Sequence, residues 1–309
     1  MSFSPSDEMT YTIRVVNLLR LLQRRMKMYL QGKRIERFLL TGCPTPRTPD
    51  KTDGTKIIKV QEHKMLLDSK DSLNLLNSEI YEPMETKLIK AQIKKGDVVL
   101  DIGANIGYYT LIFARLTGKE GKVYAFEPAP DNFAILTKNI EMNDYKNVIL
   151  EQKAVCNKNG NIKLYLCEEN NADNRIYDSQ DFRKSININS VRLDDYFKDY
   201  NGRIDFIKMD IQGAEAGAFK GMSSILEKNE NIMVIAEFWP FGLVKSGNEP
   251  AIYLDLLLKH NFKLYNIDEI SKKFSPLNNI NEFLKTYTVK RDNYTNLVCT
   301  RNVLPDFQF

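Results

Sequence analysis

Three stretches place acidic or glycine residues where an apolar run stops, and that is where small-ligand chemistry is usually held. The first is Asp101-Ile102-Gly103-Ala104-Asn105-Ile106-Gly107, which closes the apolar run starting at Val98 and leads into a second apolar segment from Tyr108. Glycines at 103 and 107 allow tight backbone dihedrals and close approach of a ligand. A dinucleotide turn would be spaced G-x-G-x-x-G, with amides and helix dipole aimed at a pyrophosphate. Here the spacing is D-x-G-x-N-x-G, with the Asp101 carboxylate at the mouth of the loop. A carboxylate there repels phosphate and suits the amino group and sulfonium of S-adenosylmethionine. Asp101, Gly103, Asn105 and Gly107 are therefore expected to contact that cofactor.

The second stretch is Lys122-Val123-Tyr124-Ala125-Phe126-Glu127. Glu127 ends it, where an acidic side chain accepts two hydrogen bonds from a ribose diol. The same residue would serve NAD, so it indicates a nucleoside rather than one cofactor. Pro128 stops the strand, Asn132 opens the next helix and joins the cofactor set, and Ala154 with Val155 lies near the adenine edge by order along the chain.

The third stretch is Ile204 to Glu215, in which Asp210 ends a strand and Glu215 begins a helix. Both are expected to face the reacting end of the crevice. Glu237 ends the following strand and is a second candidate base, and Trp239 either stacks on a sugar or packs. Enzymes that methylate nucleobase amines often carry a D/N-P-P-Y/F motif after this strand. It is absent, which favours an oxygen acceptor. His63 falls in an expected exposed turn and His260 at a helix end, so neither histidine is placed as the general base.

These residues need a frame of strands that end together. Strands are expected at Val98–Ile102, Lys122–Phe126, Val148–Glu151, Ile204–Met209, Ile232–Glu237 and Lys263–Ile267. Helices are expected at 84–92, 108–116, 131–142, 214–227 and 250–259. Short apolar strands alternating with helices give an α/β fold with a mostly parallel, doubly wound, Rossmann-like sheet. Ligands bind such sheets beyond the carboxyl ends of the strands, at the switch point. Ahead of it, 11–40 reads as a basic amphipathic helical arm and 41–55 as a Pro/Gly linker. Residues 56–60 and 64–67 read as a small β-hairpin. The catalytic domain is expected over 56–301, with its core at 82–262, and 302–309 is a tail. Residues 157–188 interrupt the rhythm with a polar insert, either a loop over the site or a surface hairpin.

Composition narrows the function classes. The chain is 43% hydrophobic and 27% charged, as soluble globular proteins are. Basic residues from Arg14 to Arg37 outnumber Asp7, Glu8 and Glu36 and account for the whole net charge of +4. The balanced remainder argues against nucleic acid as a partner, because such enzymes present a basic body. The arm suits peripheral contact with a membrane or a protein, or packs on the body. Cys43, Cys156, Cys167 and Cys299 show neither zinc nor disulfide spacing, so no metal site is expected. No signal-peptide pattern or spanning apolar run is evident, which points to a cytoplasmic, membrane-peripheral at most, location.

Taken together, the segments DIGANIGYYT, AFEPAPDNFAILTKNI, RLDDYF (Arg192 to Phe197) and IDFIKMDIQGAE resemble FkbM-type methyltransferases, a branch of the class I fold, over roughly residues 82–262. The resemblance implies S-adenosylmethionine as cofactor and O-methylation of sugars, glycans, polyketides or other hydroxylated small molecules. It places Asp101, Gly103, Asn105, Gly107 and Glu127 on the cofactor, and Asp210 and Glu215 at the reacting end. The family often carries D-V-E-G-x-E where this chain has Asp210-Ile211-Gln212-Gly213-Ala214-Glu215, so one acid is missing at Gln212. The expected reaction is attack of an acceptor hydroxyl on the sulfonium methyl, with Asp210 or Glu237 as base. The competing expectation is an NAD-dependent oxidoreductase. That reading requires a third loop glycine and a tyrosine-lysine or histidine pair, neither of which is evident.

Overall fold

The structure is a computed structural model that describes residues 50–52 and 55–304. The chain divides into 1–47, which with the expected arm lies outside the described residues, and a compact unit of 48–309. In that unit β1 (Asp50–Thr52), β2 (Thr55–Val60) and β3 (His63–Leu66) form an antiparallel sheet. Helix α1 (Pro83–Gln92) leads to β4 (Val98–Ile102), α2 (Tyr108–Thr117), β5 (Lys122–Phe126), α3 (Pro130–Met142) and β6 (Val148–Glu151). A small sheet in the order β7-β9-β8 follows, from β7 (Ala154–Val155), β8 (Gly160–Leu166) and β9 (Lys184–Val191). After α4 (Leu193–Tyr196) come β10 (Phe206–Met209), α5 (Glu215–Lys220), α6 (Ser223–Lys228), β11 (Met233–Phe238), α7 (Pro240–Lys245) and α8 (Pro250–Lys259). The described elements close with β12 (Lys263–Asp268), β13 (Lys273–Pro276), α9 (Ile280–Thr286) and β14 (Thr295–Thr300).

The main sheet has eight strands in the order β13-β12-β14-β11-β10-β4-β5-β6. The pairs from β11 through β10, β4 and β5 to β6 are all parallel, and β14 runs antiparallel to both β11 and β12. This is the expected Rossmann-like α/β fold. Its order reverses at β4, so the crevice between the ends of β4 and β10 is the switch point. Every residue of β4, β10, β11 and β14 is buried, which is why apolar residues dominate these runs without a strict alternation, the polar members Asp101, Lys208, Glu237, Thr295, Asn296 and Thr300 being buried with them. On one face Val99, Ile235 and Val298 pack with Leu88, Ile89 and Phe113; on the other Leu100, Ile207 and Val234 pack with Phe219, Leu226 and Leu257. Each such fully buried side chain contributes roughly 1.5–3 kcal/mol.

Several expectations need correction. The single helix expected at 214–227 is two short helices broken at Gly221, where an added Cβ would stand 2.3 Å from the Cys156 carbonyl oxygen. Strand β14, which was not foreseen, fills the gap between β11 and β12 and completes the sheet. Within the expected linker, Asp50–Thr52 pairs with β2 instead; residues 41–49 lie outside the described residues. His63 is not an exposed turn residue. The turn consists of Gln61 and Glu62, both with positive φ as a tight hairpin requires, and His63 opens β3 at 4% exposure, 2.8 Å from the Tyr145 hydroxyl. Burial lowers its pKa to about 4. Among the described residues no helix is long and apolar enough to cross a membrane.

Candidate active site

The loop after β4 is tied down on both sides. Gly103 and Ala104 donate backbone N–H bonds to the Phe126 carbonyl (2.9 and 3.0 Å), and the Asp210 amide donates to the Ile102 carbonyl (3.0 Å). At Gly103 φ is +84° and a Cβ would lie 2.0 Å from the Asp210 carbonyl oxygen, so only glycine lets β4 and β10 end this close together. Glu127 spans the loops: one carboxylate oxygen accepts from the Asn105 amide and the other from the Ala129 amide, both at 2.8 Å. That bridge holds Asn105 in the left-handed region at φ 51°.

A pocket opens above these residues. Asp101, Gly103, Asn105, Glu127, Asn132 and Ala154 all line it, as the sequence led us to expect. Gly107 does not: it stands at the start of α2 against the Leu136 side chain. Burial raises the Glu127 carboxyl to about 7 and the Asp101 carboxyl, which accepts from the Thr110 hydroxyl at 2.5 Å, to about 6. Both carboxylates retain lone pairs, and the Asn105 Oδ1 is buried with no hydrogen-bond partner among the described residues. Phe126, Val155, Leu164 and Ile176 supply apolar walls. This donor-seeking edge beside a flat apolar slot fits S-adenosylmethionine. Glu127 would hold the ribose diol, the apolar walls the adenine and Asp101 the amino acid end.

The insert forms the roof. Asn132 Nδ2 donates to the Asn171 carbonyl (3.0 Å), as does Asn174 Nδ2 (3.0 Å), while the Asn171 amide donates to Ser72 Oγ (3.1 Å). Residues 171, 172, 174 and 176 thereby join the pocket wall, so the polar insert does lie over the site. Between the wall residues Asn174 and Ile176, Arg175, 1% exposed, pairs with Asp173 and stacks over Trp239 at 4.8 Å. Trp239 therefore packs, with its Nε1 donating to the Arg291 carbonyl.

Asp210 lines the pocket at the end of β10 and accepts from Gln212 Nε2 at 2.8 Å. Beneath it lies a group the sequence reading missed. Lys208, 2% exposed, sits 3.1 Å from a Glu85 carboxylate oxygen and 3.9 Å from that of Asp210. Glu85, Asp210 and Glu82 hold its ammonium protonated despite burial, while burial pushes Glu85 upward against the pull of Lys208. Glu82 accepts from the Tyr109 hydroxyl (3.0 Å) and from Asn296 Nδ2 (3.1 Å) and sits at φ 42°. Lysine within the apolar strand FIKM was the available signal, because a buried cation requires a nearby carboxylate.

Two expected catalytic acids stand elsewhere. Glu215 is fully buried and outside the pocket lining; it accepts from the amides of Ile211 (3.1 Å) and Gly213 (3.2 Å), shaping the loop after β10 rather than meeting a substrate. Glu237 is 7% exposed and also outside the lining, and its Oε2 has no hydrogen-bond partner among the described residues. Burial, then Asp210 and Glu215, push its pKa well above the ordinary value. Among the described residues no three His, Cys, Asp or Glu side chains are placed to ligate one metal ion.

Comparison with known proteins identifies the family. The profile of the Methyltransferase FkbM domain matches residues 101–264. Methyltransferase 1 of Beauveria bassiana is 24% identical over 144 residues, 40% of this chain and 57% of that protein. Methyltransferase sdnD of Sordaria araneosa is 27% identical over 198 residues, 52% of this chain and 72% of that protein. The 31-O-demethyl-FK506 methyltransferase FkbM of Streptomyces tacrolimicus is 50% identical over 48 residues, 16% of this chain and 18% of that protein. The matched part thus spans little more than half the length of the Beauveria relative. With the family profile covering more than half of the chain from Asp101 onward, this protein belongs to the FkbM methyltransferase domain family, whose methyl donor is S-adenosylmethionine.

Proposed function

We propose that the protein transfers the methyl group of S-adenosylmethionine to a hydroxyl of a small polar acceptor, a sugar, a glycan or a comparable metabolite. The carrying observation is Asp210: a carboxylate at the switch point, lining the cofactor pocket, oriented by Gln212 and followed by Ile-Gln-Gly in place of an amine-clamping motif. The Streptomyces relative, named for transfer at a 31-O position, supports an oxygen acceptor.

The bound donor supplies an electrophilic methyl on a good leaving group. The chain has to align the acceptor and take its proton. Asp210 accepts that proton, and Gln212 fixes the carboxylate for it. Glu237 is a weaker candidate, since its surroundings favour the protonated form. The roof of Asn171, Ala172 and Asn174 borders the cofactor side.

The test is incubation with labelled S-adenosylmethionine and a panel of glycans, lipids and polar metabolites, followed by Asp210→Ala on whichever acceptor is labelled. Turnover is expected to fall roughly 10²-fold or more, the usual contribution of a general base. Full turnover by the variant removes Asp210 from the proton transfer.

A further inference from the structure

The acidic groups beyond Asp210 exceed what methyl transfer needs. In the sheet, Lys208 on β10 is in register with Asp101 on β4, and Glu237 on β11 with Asn296 on β14. Side chains alternate along a strand, so Asp101, Lys208, Glu237 and Asn296 share one face near the ends of four neighbouring strands. Glu82 closes over that face through Asn296 and Tyr109.

Charge does not balance there. Lys208 is matched by Glu85 at 3.1 Å. It is also the one cation among the groups that act most strongly on Glu82 and on Glu237. Lys208, 3.9 Å from Asp210, is thus shared among Glu82, Asp210 and Glu237; burial and the neighbouring acids push Glu82 and Glu237 toward the protonated form, which a bound cation would reverse, and the Oε2 of Glu237 is buried with no hydrogen-bond partner among the described residues. The methyl donor carries a single net positive charge and offsets one of the three.

Aromatic rings border the same space. Tyr81 and Tyr109 line the pocket, and Tyr294, 54% exposed, stands where Glu82, Glu237 and Asp210 all act on its hydroxyl. Carboxylates with aromatic faces suit an organic ammonium, through charge-assisted hydrogen bonds and cation–π attraction. Since no three acids among the described residues converge as metal ligands, a single metal ion does not fit this arrangement.

We propose that Glu82 and Glu237, next to Asp210 and with Tyr81, Tyr109 and Tyr294 beside them, form a subsite for a protonated amine on the acceptor. The acceptor is then an amino-hydroxy compound of the amino sugar or amino alcohol class. This rests on the O-methyl reading of Asp210, with the hydroxyl presented to Asp210 and the amine held toward Glu82 and Glu237.

The experiment titrates the full chain, loaded with S-adenosylhomocysteine, with glucosamine and 2-aminoethanol and, in parallel, with their N-acetyl forms. N-acetylation keeps the hydroxyls and removes the charge. The free amines are expected to bind at least ~10-fold more tightly, the value of one charge-assisted contact of about 1.4 kcal/mol. Glu82→Gln and Glu237→Gln each shrink that preference, with homocysteine-nucleoside affinity measured alongside to show that the variants fold. Equal binding of amines and N-acetyl forms overturns the subsite, as does an absence of amine binding to the loaded wild type. A methyl-transfer assay separates the two claims. Methylation of neutral alcohols with no amine preference overturns the subsite alone. Amine-selective binding with no methyl delivered to any hydroxyl supports the subsite and overturns the O-methyl reading. Methyl found on nitrogen contradicts both.

Discussion

Replacing Glu127 by Gln tests how the cofactor loop is held. Each carboxylate oxygen accepts one backbone N–H at 2.8 Å, from Asn105 on one side and Ala129 on the other. Glutamine has one oxygen, so its NH2 must face the remaining amide. A buried donor left without an acceptor costs about 1–3 kcal/mol. When that NH2 faces Asn105, the loss falls on a residue whose left-handed backbone, at φ 51°, is of the kind that costs on the order of 1–3 kcal/mol and persists only when held in place. The variant is therefore expected to lose roughly 1–3 kcal/mol in urea unfolding. With a ribose acceptor also removed, S-adenosylhomocysteine affinity is expected to weaken ~10–100-fold by calorimetry. Asp131→Asn, an exposed acid in the first turn of α3, is the control and should change neither. An unchanged unfolding midpoint together with unchanged affinity would refute the idea that Glu127 ties the two loops together and meets the nucleoside.

Two further outcomes follow from the same geometry. Gly103→Ala puts a methyl 2.0 Å from the Asp210 carbonyl oxygen in a backbone region that disfavours side chains, so we expect a stability loss of roughly 2 kcal/mol or more and weakened cofactor binding; a variant as stable as the wild type contradicts the close approach of β4 and β10. The free protein should also be less stable in urea at pH 8 than at pH 5.5. Asp101 and Glu127 have folded pKa values raised to about 6 and 7, so the folded state binds more protons than the unfolded one, and their stabilisation is lost as pH rises through those values. His63, lowered to about 4, acts oppositely: its contribution is present above about 6.5 and fades as pH falls toward 4. Stability rising from pH 5.5 to 8 would mean that the buried carboxyls do not dominate.

What the sequence made legible was local. The strand-loop-helix at Val98 to Thr117 and the strand ending at Glu127 are continuous segments whose apolar pattern and glycine spacing reflect their geometry directly. Asp101, Asn105, Glu127, Asn132, Ala154 and Asp210 accordingly appear in the pocket wall. The reacting side was less legible because it is assembled from distant pieces. Glu82 and Glu85 enter from α1, Tyr109 from α2, Asn296 from β14, and no short window contains two of these elements. Glu215 misled because an acid opening a helix after a strand has the same pattern whether it faces a ligand or, as here, folds back onto the amides of Ile211 and Gly213. His63 misled similarly, since a hairpin turn and the first strand residue after it differ by one position and by burial that depends on Tyr145.

The central claim is that the pocket over Asp101 and Glu127 holds a sulfonium nucleoside and not a dinucleotide. Calorimetric titration of the full chain with S-adenosylhomocysteine and, separately, with NADH tests it most directly. Saturable one-to-one binding of the former with no measurable heat from the latter is the predicted result. Binding of NADH with none of S-adenosylhomocysteine would contradict it.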